Sequence, residues 1–306
     1  MRTKNLWLLV AVALAGLASC SAGLPAPDGA RAHARVVKQV GFGPRTPGSP
    51  GHAACREWIE SELKRLGATV EIQRGEDSLR GEPLPIVNVI GRFGPESGPP
   101  LLLCAHYDTR PWCDRDPDPA LRQQPLAGAN DAGSGVAVLL EVAEAFAKRP
   151  PRVPVHLVFF DAEDQGRSDL PQEFSRGSAY FASKLPARGA PGRPRAGIVF
   201  DMIGDKDLRI PVEQNSAARA GNLGAIVRAA ARATGARHFV DEAGFNVADD
   251  HLPLLDARVP AVDLIDIEYD AWHTTRDLPD QVSPESLAEV SRVAIWLALA
   301  SDLARP

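Results

Sequence analysis

Four apolar runs along the chain end at acidic residues or histidine. They have the length and the largely apolar character of buried strands, and they span residues 101–105, 153–160, 197–200 and 262–265. The polar side chains that follow them are, in chain order, His106 and Asp108; Asp161, Glu163 and Asp164; Asp201; and Asp266. Ligands of open α/β sheets bind at the carboxyl ends of the strands. The pattern therefore predicts a metal-dependent active site along one edge of a sheet.

Segments with helical periodicity alternate with these runs. Apolar positions recur at helical spacing in four segments, which cover residues 57–66, 136–147, 217–234 and 284–303. A further strand is predicted at residues 86–90. This alternation predicts an α/β fold, a single-domain three-layer sandwich in which a mixed, mostly parallel sheet has helices on both faces. The Pro- and Asp-rich residues 111–125 form a long loop after His106, and such a loop in a compact domain is usually functional.

Composition indicates a globular protein and argues against one class of partner. The chain has 306 residues, of which 44% are hydrophobic and 24% are charged, as expected for a protein with a substantial core. The formal net charge is -5 and there is no basic stripe, so the sequence gives no support for nucleic-acid binding. We expect a monomer.

The N-terminus has the layout of an export signal. Arg2 and Lys4 precede the apolar residues 6–17, which are too few for a comfortable membrane span. Leu17-Ala18-Ser19-Cys20 resembles a bacterial lipobox, and Ser21 after it implies, by that resemblance, the outer membrane. We predict a lipoprotein signal peptide at residues 1–19, a lipid anchor on Cys20, a tether at residues 20–35 and a catalytic domain at residues 36–306. The alternative is a plain signal peptide and a periplasmic or secreted protein.

Three cysteines remain once Cys20 is set aside, namely Cys55, Cys104 and Cys113. Export permits a disulfide, and three thiols can form only one pair. Cys104 and Cys113 both flank the His106 segment, so we favour that pair over buried free thiols. None of the three has the spacing of a thiolate metal site.

Ten acidic and histidine residues are candidates for a metal site. A hydrolytic or acyl-transfer zinc site typically needs three nitrogen or oxygen ligands and one open position. The candidates are His106, Asp108, Asp131, Glu163, Asp164, Asp201, Asp249, Asp250, His251 and His273. Glu163 and Asp164 are adjacent, so in extended structure they point to different sides, and one can bind metal while the other acts as a base. Asp161 is then a structural acid that holds the turn, and the alternative for Asp131 is an N-cap aspartate.

Six motifs, in this order along the chain, resemble those of a known family. They are HYDT at residues 106–109, GANDAGSG at 128–135, FFDAED at 159–164, FDMIGD at 200–205, DDHLPLL at 249–255 and WHTTRDLPDQVSPESL at 272–287. Together they resemble the M28 zinc-peptidase superfamily, and within it the glutaminyl-peptide cyclotransferases most of all. The resemblance covers residues 36–305, nearly all of the mature chain.

The resemblance implies a role for each site residue. It assigns Asp131, Asp164 and His273 as the three ligands of a single zinc ion. Glu163 is the general acid and base, and Asp201 and Asp249 are supporting acids. Trp272 is an aromatic residue of the substrate pocket. Three features depart from the animal cyclases. Asp164 stands where they have glutamate, Asp263 replaces a histidine, and the pocket tryptophan expected soon after the acid pair is absent from residues 165–168. These departures concern substrate detail more than metal binding.

Two activities of that superfamily fit these residues. As a cyclase, the protein would convert the N-terminal glutamine of peptides or proteins to pyroglutamate with release of ammonia, using one zinc per chain. As an aminopeptidase, it would hold two zinc ions bridged by Asp131, with His106 and Asp201 completing the second site. The motifs DDHLP and WHT favour the cyclase. A third hypothesis is a peptide-binding lipoprotein without catalysis, and the intact Glu163 and His273 argue against it.

Overall fold

The apolar runs pair side by side in the central sheet of the computed structural model, which describes residues 23–305. In spatial order, the six strands are β1 (Thr69–Leu79), β2 (Glu82–Phe93), β4 (Val155–Phe160), β3 (Leu101–His106), β5 (Ala196–Asp201) and β8 (Ala261–Ile265). The pairs β1–β2 and β2–β4 are antiparallel, and the remaining neighbours are parallel. β6 (Ile210–Val212) and β7 (Phe239–Ala243) form a separate parallel pair. Every residue of β3 and β5 is buried, as expected for parallel strands covered on both faces.

Helices cover both faces of this sheet. Within residues 23–305 they are α1 (Gly29–Val40), α2 (Pro50–Arg65), α3 (Gly133–Lys148), α4 (Arg176–Ser183), α5 (Gln214–Arg219), α6 (Leu223–Thr234), α7 (His251–Asp256) and α8 (Pro284–Leu299). On β2, Gly91 lies against Leu63 of α2. Asn88 points to the opposite face, where its side chain donates to the Gly177 carbonyl of α4 at 2.9 Å. The predicted three-layer α/β fold with a mixed sheet is confirmed.

The predicted tether is too long, because α1 lies partly inside it. Asp28 caps this helix by accepting a hydrogen bond from the backbone N–H of Arg31 at 3.0 Å. Arg31 and Arg35 both contact the buried carboxylate of Glu141 on α3. The ordered fold therefore begins by residue 29 instead of residue 36. The predicted signal peptide and lipid anchor lie outside the described residues and stay predictions, and no helix within residues 23–305 is long and apolar enough to cross a membrane.

Two further elements differ from the predictions. The single helix predicted over residues 217–234 is two helices, α5 and α6, separated by a turn in which Gly221 has a φ of +62°. The hairpin strand β1 was not predicted, because its residues are mostly polar and only partly buried at the edge of the sheet. It pairs with β2 along its whole length through the turn at Arg80 and Gly81.

The predicted disulfide between Cys104 and Cys113 is wrong, because Cys55, Cys104 and Cys113 are all buried free thiols. Cys104 is within β3 and its thiol lies near Asp249 and Asp250, whereas Cys113 belongs to the loop after β3 and lies near Asp116. Closeness in sequence does not bring the two thiols together. Burial raises the pKa of Cys55 to about 12, so this thiol is protonated and unreactive.

Candidate active site

The carboxyl ends of β3, β4 and β5 bring the predicted polar residues to one edge of the sheet. His106 ends β3 in register with Phe160 of β4, so it stands beside the acidic segment that follows Phe160. Asp201 ends the neighbouring strand β5. Because these parallel strands point the same way, the polar residues at their carboxyl ends, His106, Glu163 and Asp201, lie close together, as the sequence predicted.

Asp131, Asp164 and His273 converge to form the first candidate metal set. His273 Nε2 lies 3.5 Å from Asp131 Oδ2 and 3.7 Å from Asp164 Oδ2. All three side chains are buried. Two carboxylates and one imidazole are the nitrogen and oxygen donors of a catalytic zinc site with one open position.

Asp164 provides a test of whether these residues fit a metal ion. Its Oδ1 accepts a hydrogen bond from Arg110 Nη1 at 2.6 Å, while its Oδ2 is buried without a hydrogen-bond partner. Burial raises the pKa of Asp164 to about 7, although His273 and Arg110 oppose the rise. A bound cation would supply the missing partner and restore the negative charge. The set therefore fits a divalent metal ion.

His106, Asp131 and Asp201 form a second candidate set. His106 Nε2 lies 3.2 Å from Asp131 Oδ1 and 3.2 Å from Asp201 Oδ1. Asp131 thus directs one oxygen towards each set. This arrangement gives a bridged pair of metal ions the ligands that it would need, as the sequence predicted for the aminopeptidase.

Glu163 belongs to neither set and faces the same pocket. Its carboxylate is buried, and Oε1 accepts a hydrogen bond from Ser175 Oγ at 3.2 Å. Burial raises the pKa of Glu163 well above its usual range; His106 opposes this, and the carboxylates of Asp249 and Asp164 add to it. A carboxyl group with a raised pKa that binds no metal can serve both as a proton acceptor and as a proton donor.

Asp108, a candidate ligand, instead holds the acidic segment in place. The backbone N–H groups of Glu163 and Asp164 donate to its two oxygens at 3.0 and 3.2 Å, and Gln165 Nε2 donates at 2.9 Å. Asp161 has a similar structural role, as predicted, because it accepts from the Val87 N–H at 2.8 Å. Buried carboxylates therefore fix the backbone of the acidic segment, residues 161–164.

The sequence did not predict the second layer around the metal set. Arg110 donates through Nε to Asp114 Oδ1 at 2.7 Å, and that same oxygen lies 3.3 Å from His273 Nδ1. Asp277 accepts from the backbone N–H groups of Asn130 and Asp131 at 2.8 and 3.2 Å and so orients the Asp131 loop. Asp277 lies in a recognised motif and Asp114 lies in the loop at residues 111–125, but no local pattern links either residue, or Arg110, to the metal set.

Asp249 lies in the pocket wall and forms a third group of possible metal ligands with His251 and Asp263, while Asp250 belongs to none of the groups among the described residues. His251 lies 3.2 Å from Glu213 Oε2 and 3.5 Å from Asp263 Oδ2. Asp263, which departs from the animal pattern, is therefore part of a buried polar cluster behind Asp249. Asp250 and His251 are not ligands of either of the two sets that share Asp131.

The site opens into a pocket of about 430 Å³. Trp272, Phe174 and Ile267 supply apolar wall, and the predicted pocket residue Trp272 is among them. Four non-glycine residues around the site have left-handed backbones, with φ between +47° and +56°, and these are Ala162, Ser175, Met202 and His273. Such backbones are concentrated at functional sites in proteins.

Residues 88–298 match peptidase family M28. The chain belongs to this family. Its M28 membership confirms the superfamily predicted from the six motifs. The match begins in β2 and ends in α8, so it includes every residue of both candidate metal sets.

The chain is similar to both glutaminyl cyclases and an exopeptidase. Glutaminyl-peptide cyclotransferase of Bos taurus is 26% identical over 283 residues, which cover 81% of this chain and 76% of the bovine protein. The glutaminyl cyclase of Bacteroides thetaiotaomicron, solved with N-acetylhistamine, is 33% identical with a TM-score of 0.85 and covers 90% of this chain and 99% of its own. A Zn-dependent exopeptidase from Parabacteroides distasonis is 34% identical with a TM-score of 0.84 over the same shares.

Proposed function

We propose that this M28 enzyme converts the N-terminal glutamine of peptides to pyroglutamate and releases ammonia, using one zinc ion held by Asp131, Asp164 and His273. The main observation that supports this proposal is that Glu163 is buried in the pocket beside these three possible zinc ligands and is not itself a member of a metal set. The similarity to curated and structurally solved glutaminyl cyclases supports the same reaction.

The residues of the chain supply the proton transfers of this reaction. Glu163 accepts a proton from the substrate α-amine as that nitrogen bonds to the side-chain amide carbon. It then donates a proton to the amide nitrogen, whose bond to the same carbon breaks, and ammonia leaves. Asp201 and Asp249 lie in the wall beside Glu163 and hold the amine in place. When bound, zinc supplies a Lewis acid for the amide carbonyl.

The pocket contributes by holding the substrate in a ring-closing pose. Both reacting groups belong to one glutamine residue, so the reaction is intramolecular, and its rate depends on how well the amine and the amide carbon are aligned. Trp272 and Phe174 give the pocket apolar walls that favour the methylene groups of the side chain and exclude water. Exclusion of water also protects the amide from hydrolysis.

A di-zinc aminopeptidase is the second candidate. The observation that favours it is the shared carboxylate of Asp131, which brings the His106 set and the His273 set into contact. The similarity to an exopeptidase points in the same direction. Both functions use Glu163, but the peptidase requires a water molecule and a second metal ion.

Replacement of Glu163 by glutamine tests the proposal. The wild-type protein should convert a Gln-initiated peptide to pyroglutamate and ammonia, and Glu163→Gln should lower kcat by at least about 100-fold because the proton carrier is lost. Zinc content, measured by elemental analysis, should be unchanged because Glu163 is not a ligand. The matched control is Glu96→Gln, an exposed glutamate in the loop before β3. Cleavage of Leu- or Ala-anilides with two zinc ions per chain would establish the peptidase instead.

A further inference from the structure

Arg115 is the only lysine or arginine that lines the pocket in the described part of the chain. It is exposed and belongs to the long loop after His106, residues 111–125. The other charged groups on the pocket wall, His273 aside, are acidic: Asp131, Glu163, Asp164, Asp201, Asp249 and Glu268. The pocket therefore combines an acidic floor with one cation.

The acids closest in sequence to Arg115 already have other partners. Asp114 accepts from Arg110 through both oxygens, at 2.7 and 3.0 Å. Asp116 Oδ2 accepts from the backbone N–H of Thr275 at 2.9 Å. Within residues 23–305, no carboxylate oxygen lies within 4.0 Å of the Arg115 guanidinium, so its charge is unpaired.

The position of Arg115 is nevertheless fixed relative to the metal set. Its backbone N–H donates to the carbonyl of His273 at 3.1 Å. Its guanidinium carbon lies 3.9 Å from the centre of the Trp272 ring. A guanidinium that stacks on an aromatic face keeps its N–H edges available for a carboxylate, which it can bind through two hydrogen bonds.

We propose that Arg115 is a specificity-determining residue that binds a carboxylate on the residue following the substrate's N-terminal glutamine. The inference rests on the proposed cyclase function. Consecutive Cα atoms are about 3.8 Å apart, so the second residue of a peptide whose first residue occupies the metal site lies within reach of groups that flank His273. The acidic floor binds the amine end of the substrate, and Arg115 binds the negative group that follows it.

Two sources can supply that carboxylate, and four peptides distinguish them. Gln-Ala with a free C-terminus carries it on the main chain, and Gln-Glu-amide carries it on the side chain. Gln-Ala-amide is the neutral reference, and Gln-Lys-amide has the opposite charge. For the wild-type protein, we expect at least one carboxylate peptide to exceed the neutral one in kcat/KM by about three- to tenfold, mainly through KM, and the preferred peptide identifies the source.

Variants of Arg115 show whether this preference comes from its charge. The ratio of kcat/KM between carboxylate and neutral peptides should fall to about one in Arg115→Ala. It should invert in Arg115→Glu, which should favour Gln-Lys-amide, and it should largely persist in Arg115→Lys. Arg188→Ala is the matched control and should keep the wild-type ratio, because Arg188 is an exposed arginine in the loop before β5, at the opposite edge of the sheet.

The outcomes separate this inference from the function on which it rests. If wild-type protein cyclises all four peptides with equal kcat/KM, or if Arg115→Glu keeps the wild-type order, Arg115 does not determine specificity although the enzyme is a cyclase. If it cyclises none of them, the cyclase function and the inference both fall. Ratios within one variant do not depend on how much of that variant is folded.

Discussion

Asp131 is the residue that the two candidate metal sets share. Its Oδ2 lies 3.5 Å from His273 and its Oδ1 lies 3.2 Å from His106. The same side chain can therefore serve one ion or bridge two, and each set adds one histidine and one further aspartate to it, His273 with Asp164 or His106 with Asp201. Asp164 is also paired with Arg110, whose positive charge offsets part of the negative charge of the first set.

Replacing each histidine separately tells the two sets apart. His273→Ala should remove the zinc and lower kcat/KM by at least about 100-fold, because a direct ligand is lost. His106→Ala should keep one zinc per chain, because the proposed single ion does not require His106. Elemental analysis measures the zinc content of both variants, and His238→Ala is the control because His238 lies outside the pocket. A wild-type protein with two zinc ions that loses one in His106→Ala would contradict the single-ion site.

At the scale of elements, Glu213 joins α5 to the polar cluster behind the pocket. It caps α5 by accepting from the backbone N–H groups of Asn215 and Ser216 at 2.9 and 2.6 Å, and it lies 3.2 Å from His251. Burial acts to raise the pKa of Glu213, but His251 and Ser216 overcome it and lower the pKa to about 2. The folded state therefore favours the charged form.

The pKa of Glu213 predicts how its contribution depends on pH. A carboxyl whose pKa falls on folding stabilises the protein above its ordinary pKa of 4.5, and this stabilisation disappears as the pH falls towards 2. Glu213→Gln should lower the free energy of unfolding by about 1 to 2 kcal/mol near neutral pH and by about half as much at about pH 3. Urea unfolding at both pH values measures this, with the exposed Glu57→Gln as control. An equal loss at both pH values would show that the charge is unimportant.

The elements that depend on local pattern were predictable from the sequence. β3, β4, β5 and β8 are largely apolar runs, and their polar ends share an edge because parallel strands point the same way. The strand β1 was not predictable in this manner, since its side chains are partly exposed and its partner determines its structure. Helix α1 was not predicted because its sequence is rich in Ala and Gly. Its Arg31 donates a hydrogen bond to Glu141, which is 110 positions away along the chain.

The residues of the candidate site also divide into those that the sequence predicts and those that it does not. Its first layer lies in short motifs of distinctive composition, so the sequence predicts Asp131, Glu163 and Asp164 directly. The second layer consists of contacts between distant segments, such as the 147 positions between Asn130 and Asp277. A single sequence gives the residue types of such contacts but not their pairing. The Cys104–Cys113 prediction was wrong for the same reason.

For the molecule as a whole, stability comes from the packed core without a disulfide among residues 23–305. Loss of a native disulfide typically destabilises by 2 to 5 kcal/mol. Dithiothreitol should therefore change Tm by less than about 1 °C, as measured by circular dichroism on a Cys20→Ser variant. Three thiols should react with a thiol reagent in denaturant and none in the folded protein. A fall in Tm of about 5 °C or more would contradict the free thiols.

The left-handed backbones of Ala162, Ser175, Met202 and His273 have a consequence for evolution. Each destabilises the folded chain by about 1 to 2 kcal/mol relative to the ordinary conformation of an L-residue, and the rest of the fold holds it there. We expect such residues to be kept only where the reaction requires them. In a descendant that kept the fold but lost its substrate, glycine or asparagine would accumulate first at these four positions. Side chains other than glycine and asparagine at these positions are therefore expected only while the reaction is under selection.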